Sequence, residues 1–577
     1  MAIKEDNIIK KAFKKFIKNP SEALKFYANS TRIKWYLNKK FGKLPSIFSA
    51  DNMRIFSEIK RAKIKRITAD GITKNCIITN SNFSFTTNKI KIKNNDKLSF
   101  SIRLNKEIKE DIVFKVNIEK DVLFLKKINK ETFRTRDWLE ININLDKYKN
   151  ENIRITFSTN SNKNNEDCVI WSEPIILNKD ENKTNVIIIS LDSCRKDHLS
   201  CYGYKRKTTP NIDKLNAINF ENVFSHTIWT DHSHKTIFTG LYPVTQLNYE
   251  KNKRKTIFLS EIFRNNGYTT YSHNGATRLG PEILCKGFDQ YVYRKLDRTK
   301  NISSAEDIIN SSIKFIKNIN ENPFFMFLHF MEAHEPYDIP NPYHTFFSNK
   351  YNGNINIHNF KVDIKKGLID PKKLSKDDLN YITDMCDSGI RYFDNEVEKL
   401  VNTLKKLNIY DNTLIVILSD HGEEFLDHDY LFHYKFYDET INVPLIIKPQ
   451  KSFKKNSIDK NSIVELIDVY PTILDILNIK LPYKIQGKSA FIKKKSDLAF
   501  SEHWLTNSNK KRYCFSIRSN KYKYIYTKFM DKNEVLEELY DLEKDSKEKN
   551  NIANKNKKII EKMRNEKKNF FNKAKSF

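Results

Sequence analysis

Cysteine is scarce in this chain and never closely paired. Seven cysteines are scattered through 577 residues with no Cys-x-x-Cys spacing. That excludes a disulfide-framed scaffold and argues against a cysteine-built zinc site. Long apolar runs are also missing. The longest, such as Val186–Ile189 and Leu414–Leu418, fall far short of the ~18–20 residues of a membrane-spanning helix. Met1–Lys18 alternates lysine pairs with apolar residues and has no apolar leader core, so a cytoplasmic location is the expectation. Histidine is absent from the first third: the first of 13 is His198 and the last is His503. Chemistry carried by histidine therefore belongs between these two positions. No internal repeat and no nucleic-acid-binding signature is found, so nucleic acid is not an expected partner.

Basic charge, by contrast, is plentiful. Lys+Arg number 102 against 71 Asp+Glu, for a net charge of +31 and a pI near 9.5. Such a balance suits a polyanionic substrate or an anionic surface. It also follows from a composition rich in lysine, isoleucine and asparagine along the whole chain. The length and a hydrophobic content of 39% predict several domains with a large core.

Four segments differ in pattern. Residues 1–50 read as a basic helical leader, with Ile9, Phe13, Phe16 and Ile17 on one face and a helix start at Asn19-Pro20. Peripheral membrane contact through residues 1–18 is one reading of that face; packing on the protein itself is the other. Residues 51–178 carry short period-2 runs, among them Lys74–Thr79, Lys97–Leu104, Ile112–Ile118 and Ile153–Ser158. Polar clusters separate them, as expected of an antiparallel β-sandwich. From 183 to 500, apolar strands alternate with amphipathic stretches, which predicts an α/β domain. Residues 501–577 predict a small α+β piece, with strands at Tyr513–Arg518 and Tyr522–Thr527 and a charged helical tail.

Three motifs carry chemistry. Asn185–Asp192 is an apolar strand ending in a carboxylate, and Thr413–Gly422 repeats the design with Ser419-Asp420-His421-Gly422. In open α/β sheets ligands bind beyond the carboxyl ends of the strands. Two acids and a histidine there offer hard oxygen and imidazole ligands for Mg, Ca, Mn or Zn. The third motif is Thr230-Asp-His232-Ser-His234, followed by Thr239-Gly-Leu-Tyr-Pro243. Thr230 stands at a helix start, where its hydroxyl serves either as a cap or as a metal-activated nucleophile.

These motifs resemble the sulfatase branch of the alkaline phosphatase superfamily. Further matching text includes Leu199-Ser-Cys-Tyr-Gly-Tyr204, Thr209-Pro-Asn-Ile-Asp213, Gly267-Tyr-Thr-Thr270, His329–Pro336 and Glu538-Leu-Tyr-Asp-Leu-Glu543, all in order. The resemblance implies a large central sheet with helices on both faces. It implies that Asp192, Thr230, Asp420 and His421 surround a divalent cation and that Thr230 is the nucleophile. His234 takes the position of a basic residue beside the nucleophile, where it would share in neutralising developing charge, and His334 that of a histidine contacting the substrate or leaving group. His433 and Lys435 match substrate-binding basic residues, and Asn274 is a further candidate. Residues 51–178 resemble jelly-roll modules joined to carbohydrate-active enzymes. The implied substrate is an anionic glycan or lipid-headgroup ester.

Departures from the pattern bear on the reaction. Sulfatases of the usual type carry Cys or Ser where Thr230 stands, oxidised to formylglycine; the threonine methyl blocks conversion to an aldehyde. His232-Ser233-His234 replaces Pro-Ser-Arg or Pro-Ser-His, Ser193 replaces a second acid, and Asn442 replaces an arginine. The Gly-Lys-Trp-His segment is missing, and Ser272–Gly275 lies in its place. A direct threonine alkoxide favours phosphoester or phosphodiester cleavage or transfer. Sulfate ester hydrolysis is the alternative, and a non-catalytic glycan- or membrane-binding protein is the third reading.

Overall fold

The computed structural model describes residues 63–577, apart from 70, 106–107, 109, 130–137, 179, 181, 252–255, 277, 294–302, 320–321, 349–350, 455–457, 482, 493–496 and 506–510. The basic leader, including residues 1–18, lies outside the described residues. Among the described residues, no helix is long and apolar enough to cross a membrane.

The centre of the α/β region is a run of parallel strands. In spatial order they are Gln290–Tyr293, Thr269–Asn274, Phe324–Phe330, Asn185–Leu191 and Thr413–Leu418. Leu445–Lys448 and Ile218–Asn219 extend the sheet with antiparallel pairing. Every residue of Asn185–Leu191 is buried, which explains its unbroken apolar character. Its side chains alternate between two cores. Val186 and Ile188 pack with the helices Thr230–Thr239, Leu259–Asn265 and Val469–Ile476 on one face. Ile187, Ile189 and Leu191 pack with Ala305–Asn318 and the 31-residue helix Lys376–Lys406 on the other. Ser304 and Ser375 cap these last two helices, each accepting a hydrogen bond from the backbone N–H three residues on. Helices therefore cover both faces, as the α/β expectation required.

The strand-rich region before it forms two facing sheets. One contains Phe83–Thr86, Ile155–Asn160, Ile112–Ile118 and Asp121–Ile128. Trp171, almost fully buried, is the hub between the sheets, with the rings of Phe85, Phe100, Phe114 and Phe157 at 5.0–6.1 Å. Asp121–Ile128 escapes the period-2 pattern because it is an edge strand that leaves Val122 and Leu125 exposed. The second sheet does not end with the sandwich. Ile72–Thr79 pairs antiparallel with Gln290–Tyr293 through Ile72↔Val292 and Lys74↔Gln290, giving one continuous 13-stranded sheet. The boundary drawn at 178 therefore divides the chain but not the sheet.

Residues beyond 498 form a four-stranded antiparallel sheet, Ala499–Leu505, Arg512–Arg518, Tyr522–Phe529 and Glu534–Asp541 in order. The helix Lys557–Ser576 packs Ile560, Met563 and Phe570 onto it. Phe570 also meets Tyr242 edge-on at 4.8 Å, which ties this piece to the segment following the Thr230 helix.

Candidate active site

The parallel strands end on one edge, and the chemistry collects there. Asp192 directly follows Asn185–Leu191. Asp420 and His421 follow Thr413–Leu418 in the next strand, and all three are buried. Thr230 opens the helix Thr230–Thr239 after Trp229, whose backbone is extended. Its Oγ1 lies 3.3 Å from Asp192 Oδ2 and 3.5 Å from His421 Nε2. The hydroxyl therefore faces Asp192 and His421, and no side chain caps this helix.

Local geometry explains the small residues around the cluster. Ser193 adopts a φ of 59°, a costly conformation for a side chain other than glycine. In return its N–H reaches Asp420 Oδ1 at 3.3 Å and its hydroxyl reaches Asp192 Oδ1 at 3.2 Å. At Gly422 a β-carbon would stand 1.9 Å from the Glu439 carbonyl, so only glycine lets the chain pass there.

The acid pair and His421 fit a divalent cation. One ligand atom from each of Asp192, Asp420 and His421 lies within 4.8 Å of the others. Asp420 Oδ2 is buried without a hydrogen-bond partner, an expensive state unless a cation completes it. Burial works against ionisation of Asp192, but His329, His334 and His421 overcome it and hold the carboxyl well below the usual range. Burial and the neighbouring Asp192 charge push Asp420 well above that range. The two carboxyls therefore resist ionising together, and a cation between them would favour the doubly ionised form. Burial also keeps His421 neutral, the form that ligates a metal.

The other expected residues divide into groups. His433 lies with its ring 4.4 Å from that of His421 and 5.6 Å from that of His334, so both histidines border the cluster. His334 Nδ1 lies 2.6 Å from the Glu335 carbonyl and donates its proton there, leaving Nε2 as a lone pair. His234 is wholly buried beneath Thr230. Its Nδ1 meets the Thr230 carbonyl at 2.7 Å and its Nε2 meets the Ser190 hydroxyl at 2.9 Å. Burial and the nearby His329 push its pKa down to about 3. The ring is neutral and braces the start of the helix, where the sequence reading gave it a share in charge neutralisation. Lys435 is buried with its Nζ 5.0 Å from the Tyr430 ring. Asn274 ends the strand Thr269–Asn274, with its amide on Ser272 and the Val292 carbonyl rather than on Thr230 or the acids.

Two residues were not legible as site members. His329, which the sequence offered only as the start of a matching segment, lies with Nε2 3.3 Å from Asp192 Oδ2. It also forms a second ligand-like group with His234 and Asp420. Its strand pairs with the Asp192 strand in the register Ser190↔His329, which only the fold discloses. Glu423, in the Asp-His-Gly-Glu run, approaches His433 Nδ1 at 3.4 Å. The signal for it was proximity to Asp420 in sequence.

Chemistry of this kind belongs to the metal-assisted ester hydrolases, and comparison with known families narrows the class. The sulfatase family profile matches residues 184–479, and that of the N-sulphoglucosamine sulphohydrolase C-terminal region matches residues 426–573. The chain belongs to the sulfatase family. It is 23% identical over 448 residues to an arylsulfatase of Clostridium perfringens, covering 64% of this chain and 90% of that protein. It is 26% identical over 477 residues to an N-acetylglucosamine-6-O-sulfatase of Bacteroides thetaiotaomicron, covering 65% and 84%. Among solved structures, the phosphonate monoester hydrolase of Agrobacterium radiobacter shares the fold with a TM-score of 0.54 and 19% identity, covering 68% and 96%. Sulfatase-family enzymes are metal-dependent hydrolases of sulfate and related esters. Of these relatives, two are named for sulfate esters and one for phosphorus chemistry, so sulfate is better supported than the phosphoester expectation.

Proposed function

We propose that this protein hydrolyses a sulfate ester on an anionic glycan, with Thr230 as nucleophile. The observation that carries the catalytic reading is the Thr230 hydroxyl set 3.3 Å from Asp192 and 3.5 Å from His421 at the start of a helix. The names of the relatives support sulfate as the group and a sugar as its bearer. None of those named above points to a lipid.

Asp192, Asp420 and His421 would hold the cation, with Thr230 beside them. When bound, it would polarise the ester and lower the pKa of the hydroxyl. Thr230 Oγ attacks sulfur as the alcohol oxygen leaves, giving a threonine sulfate ester. Water then attacks sulfur, releasing sulfate and restoring the hydroxyl. The lone pair on His334 Nε2 can take up a proton and return it to the leaving oxygen. His433, with a Glu423 oxygen 3.4 Å from its Nδ1, borders the same space and can bind the transferred group. Burial, His421 and His334 hold His433 well below its ordinary pKa, so it contributes as a neutral hydrogen-bonding ring.

Thr230 itself favours a second reading. Threonine has no route to an aldehyde, and the same displacement at phosphorus gives phosphothreonine, to be cleaved by water or passed to an acceptor. Turnover of matched aryl sulfate, phosphate monoester and phosphate diester separates the two. Wild type and Thr230→Ala are compared with Mg, Ca, Mn or Zn. Sulfate turnover lost in the variant supports the main reading, and phosphate turnover lost in the variant supports the second. Unchanged activity in Thr230→Ala removes the nucleophile assignment from both. Glycan binding that survives loss of Thr230 and of the metal ligands, with no turnover, supports the non-catalytic reading.

A further inference from the structure

The hydrolysis described above leaves unused a group of rings and charges at the rim of the site. Trp229, directly before the nucleophile, is half-buried. The exposed Arg278 seats its guanidinium 4.8 Å from the centre of the Trp229 ring. Among the described residues Arg278 has no carboxylate partner. His503, brought in by the C-terminal sheet, stacks on the same ring at 5.2 Å with 22° between planes. The half-buried His232 lies 5.7 Å from His503.

This arrangement has a physical reading. A guanidinium lying against an aromatic ring gives up rotational freedom in advance and keeps its fork of N–H donors directed outward. Such a fork matches the paired oxygens of a sulfate or carboxylate. An unpaired cation at the rim of a site for an anionic ester also attracts a further negative charge on the same substrate. The two histidine rings add hydrogen-bonding nitrogens beside it, the Nδ1 of His503 already meeting the Thr227 hydroxyl at 3.0 Å.

We propose that Arg278, held on Trp229 with His503 and His232 alongside, is a subsite for a second anionic group, a sulfate or carboxylate, on the sugar that carries the scissile ester. The location rests on the ester-hydrolase reading; the binding chemistry does not. The subsite makes the enzyme selective for doubly charged saccharides over singly charged ones.

Two experiments test this. In the first, kinetics are compared on glucosamine 6-O-sulfate, on glucosamine 2-N,6-O-disulfate and on a monosulfated disaccharide bearing a uronate. Wild type prefers a doubly charged substrate, and which of the two identifies the second group. Arg278→Ala raises KM for it by about tenfold, the worth of one good charge-assisted contact, and collapses the preference. Arg278→Lys restores only part of it, because a point charge lacks the fork. An equal loss on all three saccharides, or a loss in kcat alone, overturns the subsite. In the second, calorimetry measures binding of the disulfated and uronate-bearing saccharides to Thr230→Ala with and without Arg278→Ala. An approximately tenfold weakening supports the subsite even if no ester is turned over, which separates its failure from failure of the ester-hydrolase reading. Binding of both saccharides that ignores Arg278 overturns it whatever the chemistry at Thr230.

Discussion

Replacing Asp420 by asparagine should stabilise the metal-free protein while abolishing its response to metal. Asp192 and Asp420 are both buried, with ligand oxygens no more than 4.8 Å apart. At an effective dielectric of about 20, two charges at that distance repel by roughly 3.5 kcal/mol. Burial and the Asp192 charge raise the Asp420 pKa, so the folded protein relieves this repulsion by taking up a proton there more readily than the unfolded chain does. Holding a proton there costs about 1.4 kcal/mol for each pH unit above the unfolded-state value near 3.9. The penalty is set by the ionic repulsion, about 3–4 kcal/mol. Asparagine mimics the protonated acid, and its oxygen can still accept from the N–H groups of Ser193 and His421. In chelator at pH 7, Asp420→Asn should therefore unfold several degrees above wild type. The sign follows from the raised pKa. The wild-type penalty is absent below about pH 4, where the carboxyl is protonated folded and unfolded, and grows as pH rises toward the raised folded value. The advantage of the variant should grow with it. Added divalent cation should raise the melting temperature of wild type and leave the variant unmoved. Thermal unfolding in chelator and in each metal, from pH 4 to 8, is the assay. A variant less stable than wild type in chelator at pH 7, or one still stabilised by metal, refutes the reasoning.

Other outcomes follow from the same geometry. His334→Ala should lower kcat by about 10²–10³ and flatten the pH–rate profile, because the proton carrier is gone; an unaltered profile would remove that role. Burial raises Glu502 to about 7, so the folded state prefers its protonated form. Stability should fall as pH rises from 4.5 through 7, by about 3 kcal/mol from this group, and Glu502→Gln should remove that part of the slope in chemical denaturation. Trp171→Ala should cost about 3–5 kcal/mol by opening the ring cluster between the two sheets, read as an earlier unfolding transition.

The site was legible in sequence wherever its residues stand at the ends of recognisable elements. Asp192 and Asp420-His421 each close an apolar strand, and Thr230 opens a helix, so pattern alone marks them as facing one edge. His334 and His433 came only from the resemblance to the family, because neither sits at a position that periodicity distinguishes. His329 was missed because a histidine inside the run Phe324–Phe330 is indistinguishable from a core residue until strand register is known. Its approach to Asp192 is a contact between residues far apart in sequence.

By itself, the sequence determined the element types, the two buried faces of the central strands and the residue types of the site. These depend on local periodicity and on what each side chain can ligate or attack. Tertiary structure decided the rest. The join between Ile72–Thr79 and Gln290–Tyr293, the neutral bracing role of His234 and the meeting of Arg278, Trp229 and His503 bring together segments with no local reason to meet. Backbone pairing at a free sheet edge and burial of a ring depend on what packs alongside. No short stretch of chain carries that information.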